Sequence, residues 1–232
     1  MRKIIKVFFI LYRLFFSIRV RLLLKKTFKY FFYKYRFFKL KTYLFCSKGS
    51  INIILGAALT NQKGWFSTNE DWLDISNEEH WNKLFKSKKR VKRVLAEHVF
   101  EHLTIDEMRN SLRLIFANMV NGGSLRIAVP DGNNPNPEYR KYCGVDGIGA
   151  DASDHKQFLT YELLSKEVER TGFHHNLIEG YLENKELVLK KFNNNLGRVI
   201  RTRSNKNIRP KDGWDFPDAN SSLILDCIKV LG

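Results

Sequence analysis

The sequence predicts an α/β protein with a mostly parallel sheet, helices on both faces, and an amphipathic basic and aromatic helix ahead of it. Two observations carry the reading. From Ser50 onward, short apolar runs alternate with amphipathic segments, the signature of strands joined through helices. Residues 1–45 differ sharply: they hold 13 Lys and Arg, 15 aromatics and no acid.

The elements follow in order. Ile51–Gly56 reads as a first strand ending on glycine, Trp65–Thr68 as a second and Trp72–Ile75 as a third, short one. Asn77–Phe85 has helical periodicity, with Ser76 or Asn77 as its cap. Val91–Ala96 is a strand. Thr104–Val120 is a helix whose Thr104 and Glu107 stand at capping-box spacing. Asn121-Gly122-Gly123 should stop that helix before a strand at Ser124–Val129, closed by Pro130-Asp131. Tyr161–Arg170 is a helix ended by Gly172, Leu177–Tyr181 a strand, and Ser222–Val230 a last strand. The polar stretches 131–155 and 193–220 read as loops of functional length.

Of the net charge of +16, the first 45 residues supply 13; the remaining chain has 27 basic residues against 24 acids. The chain is thus a nearly neutral domain, 46–232, with a cationic head. The longest uncharged run in that head, Val7 to Tyr12, is far short of the ~20 apolar residues a spanning helix needs. Wound as a helix, residues 2–24 gather Arg2, Lys3, Lys6, Arg13, Ser17 and Arg21 on one side and Ile4, Phe8, Leu11, Phe15 and Leu22 on the other. Such a segment suits an anionic membrane surface; packing on the domain and a nucleic-acid arm are its alternatives. Three cysteines (46, 143, 227) without paired spacing argue against a disulfide scaffold or a cysteine-held zinc.

In open α/β sheets, ligands bind beyond the carboxyl ends of the strands. Those positions are Gly56, Asn69-Glu70, Asp74, Glu97-His98 and Pro130-Asp131. The densest cluster, Glu97-His98-Val99-Phe100-Glu101-His102, contains the spacing His98-x-x-Glu101-His102 of inverted zinc proteases. That motif belongs on a long helix, whereas here Thr104 caps its helix only after His102, so no metal is expected. Asp154-His155-Lys156 places an acid beside an imidazole, a candidate general base.

These stretches together resemble class I S-adenosylmethionine-dependent methyltransferases, especially a group found among bacterial surface-polysaccharide genes. The similarity runs over residues 50–230 and is most specific at Glu97-His98-Val99-Phe100-Glu101-His102-Leu103-Thr104; Gly122 to Gly132 and Ser222 to Asp226 add to it. It implies a Rossmann-like sheet and S-adenosylmethionine as cofactor. Gly56 and Ala57 would lie at its methionine end, Glu70 on the ribose, Asp74 and Ile75 at the adenine, and Glu97 and His98 beside the sulfonium. Where the family carries glycine-x-glycine, this chain reads Gly56-Ala57-Ala58.

The expected function is methyl transfer to an oxygen or nitrogen of a glycan-like or lipid-linked acceptor at the inner, cytoplasmic membrane face. His155, oriented by Asp154, would be the base, with Asp131 and His102 next; Arg201 and Arg209 would meet an acidic acceptor. A non-catalytic methyltransferase-like docking module, favoured by the altered turn, is the alternative, and a zinc hydrolase through His98 and His102 the third reading. Nucleic acid is not an expected partner.

Overall fold

The computed structural model describes residues 18–58, 60–86, 88–149, 152–204 and 217–230. The chain divides into two units, Met1–Phe45 and Cys46–Gly232. In the first, helix α1 covers Ile18–Cys46. Cation–π contacts one turn apart run along it: Lys34 lies over Tyr30, Arg36 over Phe32 and Lys41 over Phe37. Leu24, Phe28, Phe31, Tyr35, Phe38 and Phe45, at helical spacing, are all exposed. No helix among the described residues is long and apolar enough to cross a membrane. Most of the cationic stripe expected over residues 2–24, including Arg2, Lys3, Lys6, Arg13 and Ser17, lies outside the described residues.

The second unit is built on a seven-stranded sheet in the order β2-β1-β3-β4-β7-β5-β6. Its strands are β1 (Ile51–Leu55), β2 (Phe66–Ser67), β3 (Val91–Glu97), β4 (Met119–Val129), β5 (Phe173–Tyr181), β6 (Leu187–Leu189) and β7 (Leu223–Lys229). Strands β1 to β4 are mutually parallel, β7 runs antiparallel to β4 and β5, and β6 antiparallel to β5. Five strands therefore share one direction, as the alternation of apolar and amphipathic segments requires. The fold is α/β and Rossmann-like.

Helices α2 (Glu78–Phe85), α3 (Ile105–Asn118) and α5 (Tyr161–Thr171) lie side by side, and α5 packs on β5 and β7. Their caps are legible. Asn77 Oδ1 accepts from Glu79 N at 2.9 Å, Thr104 and Glu107 complete a reciprocal box, and Gly172 ends α5 at φ +99°. Ile54, Ala57, Leu95, Ala128, Ile178, Val199 and Ile224 form an apolar cluster, with Trp65 and Phe192 packed against it.

Four expectations change. Trp72–Ile75 is a turn, not a strand: Leu73 N bonds the carbonyl of Asn69, and Asp74 Oδ1 takes both the N–H and the hydroxyl of Ser76. The helix before Gly122-Gly123 stops at Asn118, and Met119 already adopts extended backbone, so the glycines lie inside β4. There Gly123 permits close approach, since a Cβ on it would stand 2.9 Å from Met119 Cε and from the Val120 carbonyl. The stretch 131–155 holds a helix, α4 (Pro137–Cys143), with Asn136 as cap and Pro137 in its first turn. Strand β6 arises in a polar region where no alternation announced it.

Candidate active site

A cleft of about 860 Å³ opens at the carboxyl ends of β1 and β3. It is lined by Gly56, Ala57 and Ala58 after β1, by Glu97, His98 and His102 after β3, by Ser153, Asp154 and His155, and by Ile200 and Arg201. The place follows from topology. The chain leaves β1 toward β2 on one side, whereas β3, on the other side of β1, leads on to β4. The loops after these neighbours diverge, and the crevice between them is where such sheets bind ligands.

The wall from β1 is a strained turn. Gly56 has φ +53°, and a Cβ there would stand 2.8 Å from Val99 Cγ2. Ala57 N donates to the Thr68 carbonyl at 2.9 Å, anchoring the turn to the end of β2. Ala58 has φ +44°, so the alanine adopts the left-handed backbone for which glycine is suited.

On the β3 wall, Glu97 Oε1 accepts the N–H groups of Ile200 and Arg201, both at 2.8 Å, and so holds the 200–201 segment against the strand end. Burial pushes the Glu97 carboxyl up, against the opposing effects of the Arg201 N–H, His98 and the Ile200 N–H. The guanidinium of Arg201 reaches Asp218 Oδ2 at 2.7 Å and His98 Nδ1 at 3.3 Å. His98 itself has φ +53°, an uncommon strain for an imidazole-bearing residue, of the kind that gathers at functional sites.

Beneath His98 lies Glu101, its side chain 1% exposed, with Oε1 3.0 Å from His98 Nδ1. Burial would raise its carboxyl, but His98, by charge and by hydrogen bonding, a backbone N–H and His102 outweigh that and hold it below the usual range. His102 Nδ1 is 3.1 Å from Asp154 Oδ1, and the His102 and His155 rings meet edge-on at 4.8 Å. His155 Nδ1 is 2.8 Å from the Cys143 carbonyl. The expected pairing is therefore corrected: Asp154 orients His102, and the main chain at the end of α4 orients His155. Residues adjacent in sequence diverge here because the 3-10 turn Ala152–Asp154 ends between them. The thiol of Cys143 is pushed by burial up to about 12, so it is not a thiolate.

Of the residues chosen for cofactor contact, Gly56, Ala57, Glu97 and His98 meet in the cleft, and His102, Asp154, His155 and Arg201 join them. Glu70 is exposed on the loop leaving β2, beside Asn69, whose buried Oδ1 has no hydrogen-bond partner among the described residues. Asp74 caps its own turn, and the Ile75 carbonyl receives Trp81 Nε1 at 2.9 Å; neither lines the cleft. Asp131 is fully buried, and its carboxylate accepts from Asn133 N and Tyr181 N, so it braces the end of β4 rather than facing an acceptor. Burial raises it, opposed by those N–H donors. Arg209 lies outside the described residues.

Two buried carboxylates, Glu179 and Asp226, were not among the expected site residues. Glu179, fully buried on β5, binds Thr202 Oγ1, the backbone and guanidinium of Arg203, and Ser222 N. Asp226 pairs with fully buried Arg126, which also holds the Asn193 and Gly197 carbonyls. Alternation within β4 and β7 would have placed Arg126 and Asp226 inside, but only the strand order makes them partners.

No family model matches the chain, and no curated protein matches it. Among solved structures it is similar to a SAM-dependent methyltransferase from Archaeoglobus fulgidus, at 21% identity over 82% of this chain and 90% of that one, with a TM-score of 0.44. It is also similar to a SAM-dependent methyltransferase from Mesorhizobium loti, at 12% identity over 78% and 91%, with a TM-score of 0.44. A third, from Methanosarcina mazei, aligns at 10% identity over 80% and 95%, again with a TM-score of 0.44.

Proposed function

We propose that this chain is an S-adenosylmethionine-dependent methyltransferase acting on an oxygen or nitrogen acceptor. One observation carries the reading: the cleft sits at the switch point between β1 and β3, with the left-handed turn Gly56-Ala57-Ala58 on one wall and Glu97 on the other. Its volume of about 860 Å³ is within the usual range for small-molecule sites, about 300–1,000 Å³.

The residues present fit the cofactor. The Gly56 turn brings bare backbone to the crevice, and a carboxylate at Glu97 suits a cationic sulfonium. When bound, the cofactor supplies an electrophilic methyl group. Glu97 would hold the 200–201 segment closed over it, excluding water. His102, Asp154 and His155 form the acceptor end, where the acceptor oxygen or nitrogen is positioned and its proton removed. Arg201, already braced by Asp218, adds positive charge beside an acidic acceptor. The non-catalytic alternative rests on the missing second glycine; Ala58 keeps the left-handed backbone that a glycine would adopt there.

The acceptor we propose is glycan-like or lipid-linked, reached from a cytoplasmic, peripheral position on the inner membrane. The exposed stripe from Leu24 to Phe45 and the surplus of 13 cations over no acids in residues 1–45 support this reading. Thermal unfolding with S-adenosylhomocysteine tests the cofactor: at about 100 times its Kd, stability should rise by about 2.7 kcal/mol. An unmoved transition at millimolar ligand would remove the reading.

A further inference from the structure

We propose that Glu101, His102 and His155 form a binding site for a divalent first-row transition-metal ion at the acceptor end of the cleft. One ligand atom from each lies within 4.8 Å of the others. Two ligands at about 2.1 Å from one ion stand about 3.4 Å apart in a tetrahedral site, so side-chain shifts that close the separations by up to about 1.4 Å gather the three. Two imidazoles and one carboxylate are a donor set for zinc, iron, cobalt or manganese rather than calcium or magnesium, which prefer oxygen.

Further features fit a metal. The Glu101 carboxylate is buried, with His98 and one backbone N–H as its hydrogen-bonding partners. A buried carboxylate with so few partners is costly unless a cation compensates it. Both histidines also carry the outer-shell support of metal ligands. His102 Nδ1 has Asp154 Oδ1 in ion-pair reach at 3.1 Å, and His155 Nδ1 meets the Cys143 carbonyl at 2.8 Å. Each arrangement leaves the Nε2 lone pair for an ion.

The protein builds this site in an unexpected way. The spacing His98-x-x-Glu101-His102 called for two histidines one α-helical turn apart. Phe100–His102 is instead a single 3-10 turn, and His98 swings out on left-handed backbone, so the second imidazole comes from His155 in a distant segment. His102 and His155 line the cleft, so open coordination positions face an incoming acceptor oxygen, whose hydroxyl would lose its proton more readily when metal-bound. The site stands on its own geometry; this role for it rests on the methyl-transfer reading.

The test is titration of the full chain, stripped by a chelator, with Co²⁺, followed by visible absorption. One equivalent should bind at micromolar concentration, and His102→Gln and Glu101→Gln should weaken binding at least tenfold. His174→Gln, on the exposed side of β5, should leave it unchanged. In the unaltered chain, saturating Co²⁺ should protect His102 from acylation by diethyl pyrocarbonate, read by mass spectrometry, which needs no variant. A folded chain that gives no cobalt band, a band unchanged in His102→Gln, or undiminished acylation overturns the site. S-adenosylhomocysteine titrated separately keeps the two ideas apart: cobalt binding without nucleoside binding sinks the methyl-transfer reading and upholds the metal site.

Discussion

Glu97 and Arg201 are joined through the main chain: the carboxylate at the end of β3 accepts the Arg201 N–H at 2.8 Å, and the same oxygen accepts Ile200 N. The Arg201 side chain reaches Asp218 and His98 Nδ1. A residue expected to face the cofactor thus also fastens the segment that closes the cleft.

Separating those two tasks is possible by substitution. Glu97→Gln keeps an oxygen for both N–H donors and removes the charge. Affinity for S-adenosylmethionine should fall about tenfold, or about 1.4 kcal/mol, while unfolding free energy changes by less than about 1 kcal/mol. Glu97→Ala should lose affinity and stability together. Calorimetric binding and urea unfolding of both variants check this.

The turn at Ala58 offers a stabilising change. Its φ of +44° costs an L-residue about 1–2 kcal/mol relative to glycine, partly offset by the greater unfolded-state entropy of glycine. Ala58→Gly should stabilise the chain by roughly 0.5 kcal/mol and leave cofactor affinity equal or better. Gly56→Ala, with its φ of +53° and Val99 Cγ2 at 2.8 Å, should do the reverse. Equilibrium unfolding reads the sign of each.

Arg126 is fully buried, and its Nε and Nη2 donate to the two oxygens of Asp226 at 2.6 and 2.7 Å. Asp226→Ala strands that guanidinium and should cost about 3–5 kcal/mol. Denaturant unfolding measures it, and a loss below about 1 kcal/mol would mean the charge finds other compensation.

Glu107 gives a pH signature. Hydrogen bonds from the Thr104 N–H, Lys156 and the Thr104 hydroxyl lower its carboxyl to about 2. A depressed acid contributes stability above its unfolded value, near 4.3, and loses it as pH falls toward the folded one. Stability should therefore decline between about pH 5 and pH 2, and Thr104→Ala, costing about 1 kcal/mol at neutral pH, should flatten that decline. Unfolding free energy against pH in both proteins decides it.

What the sequence made legible divides along physical lines. Caps and strand ends are local: Asn77, Thr104 with Glu107, Gly172 and Gly56 act on backbone a few residues away, and the structure has each in place. Partnerships across the sheet are not local. Asp154 seemed destined for His155 beside it, yet a 3-10 turn sends it to His102. Arg126 and Asp226 lie 100 residues apart, and only the antiparallel insertion of β7 beside β4 brings them together. Asp131, polar and at a strand end, had every mark of a site residue, but two backbone N–H groups claim its carboxylate.

The central claim is that the switch-point cleft holds S-adenosylmethionine, and calorimetric titration of the full chain with the cofactor and its demethylated product tests it most directly. The account predicts one site with micromolar affinity, weakened about tenfold in Glu97→Gln and retained in His155→Ala, which should lose turnover alone. A folded chain that releases no heat with either ligand and competes for neither would contradict it.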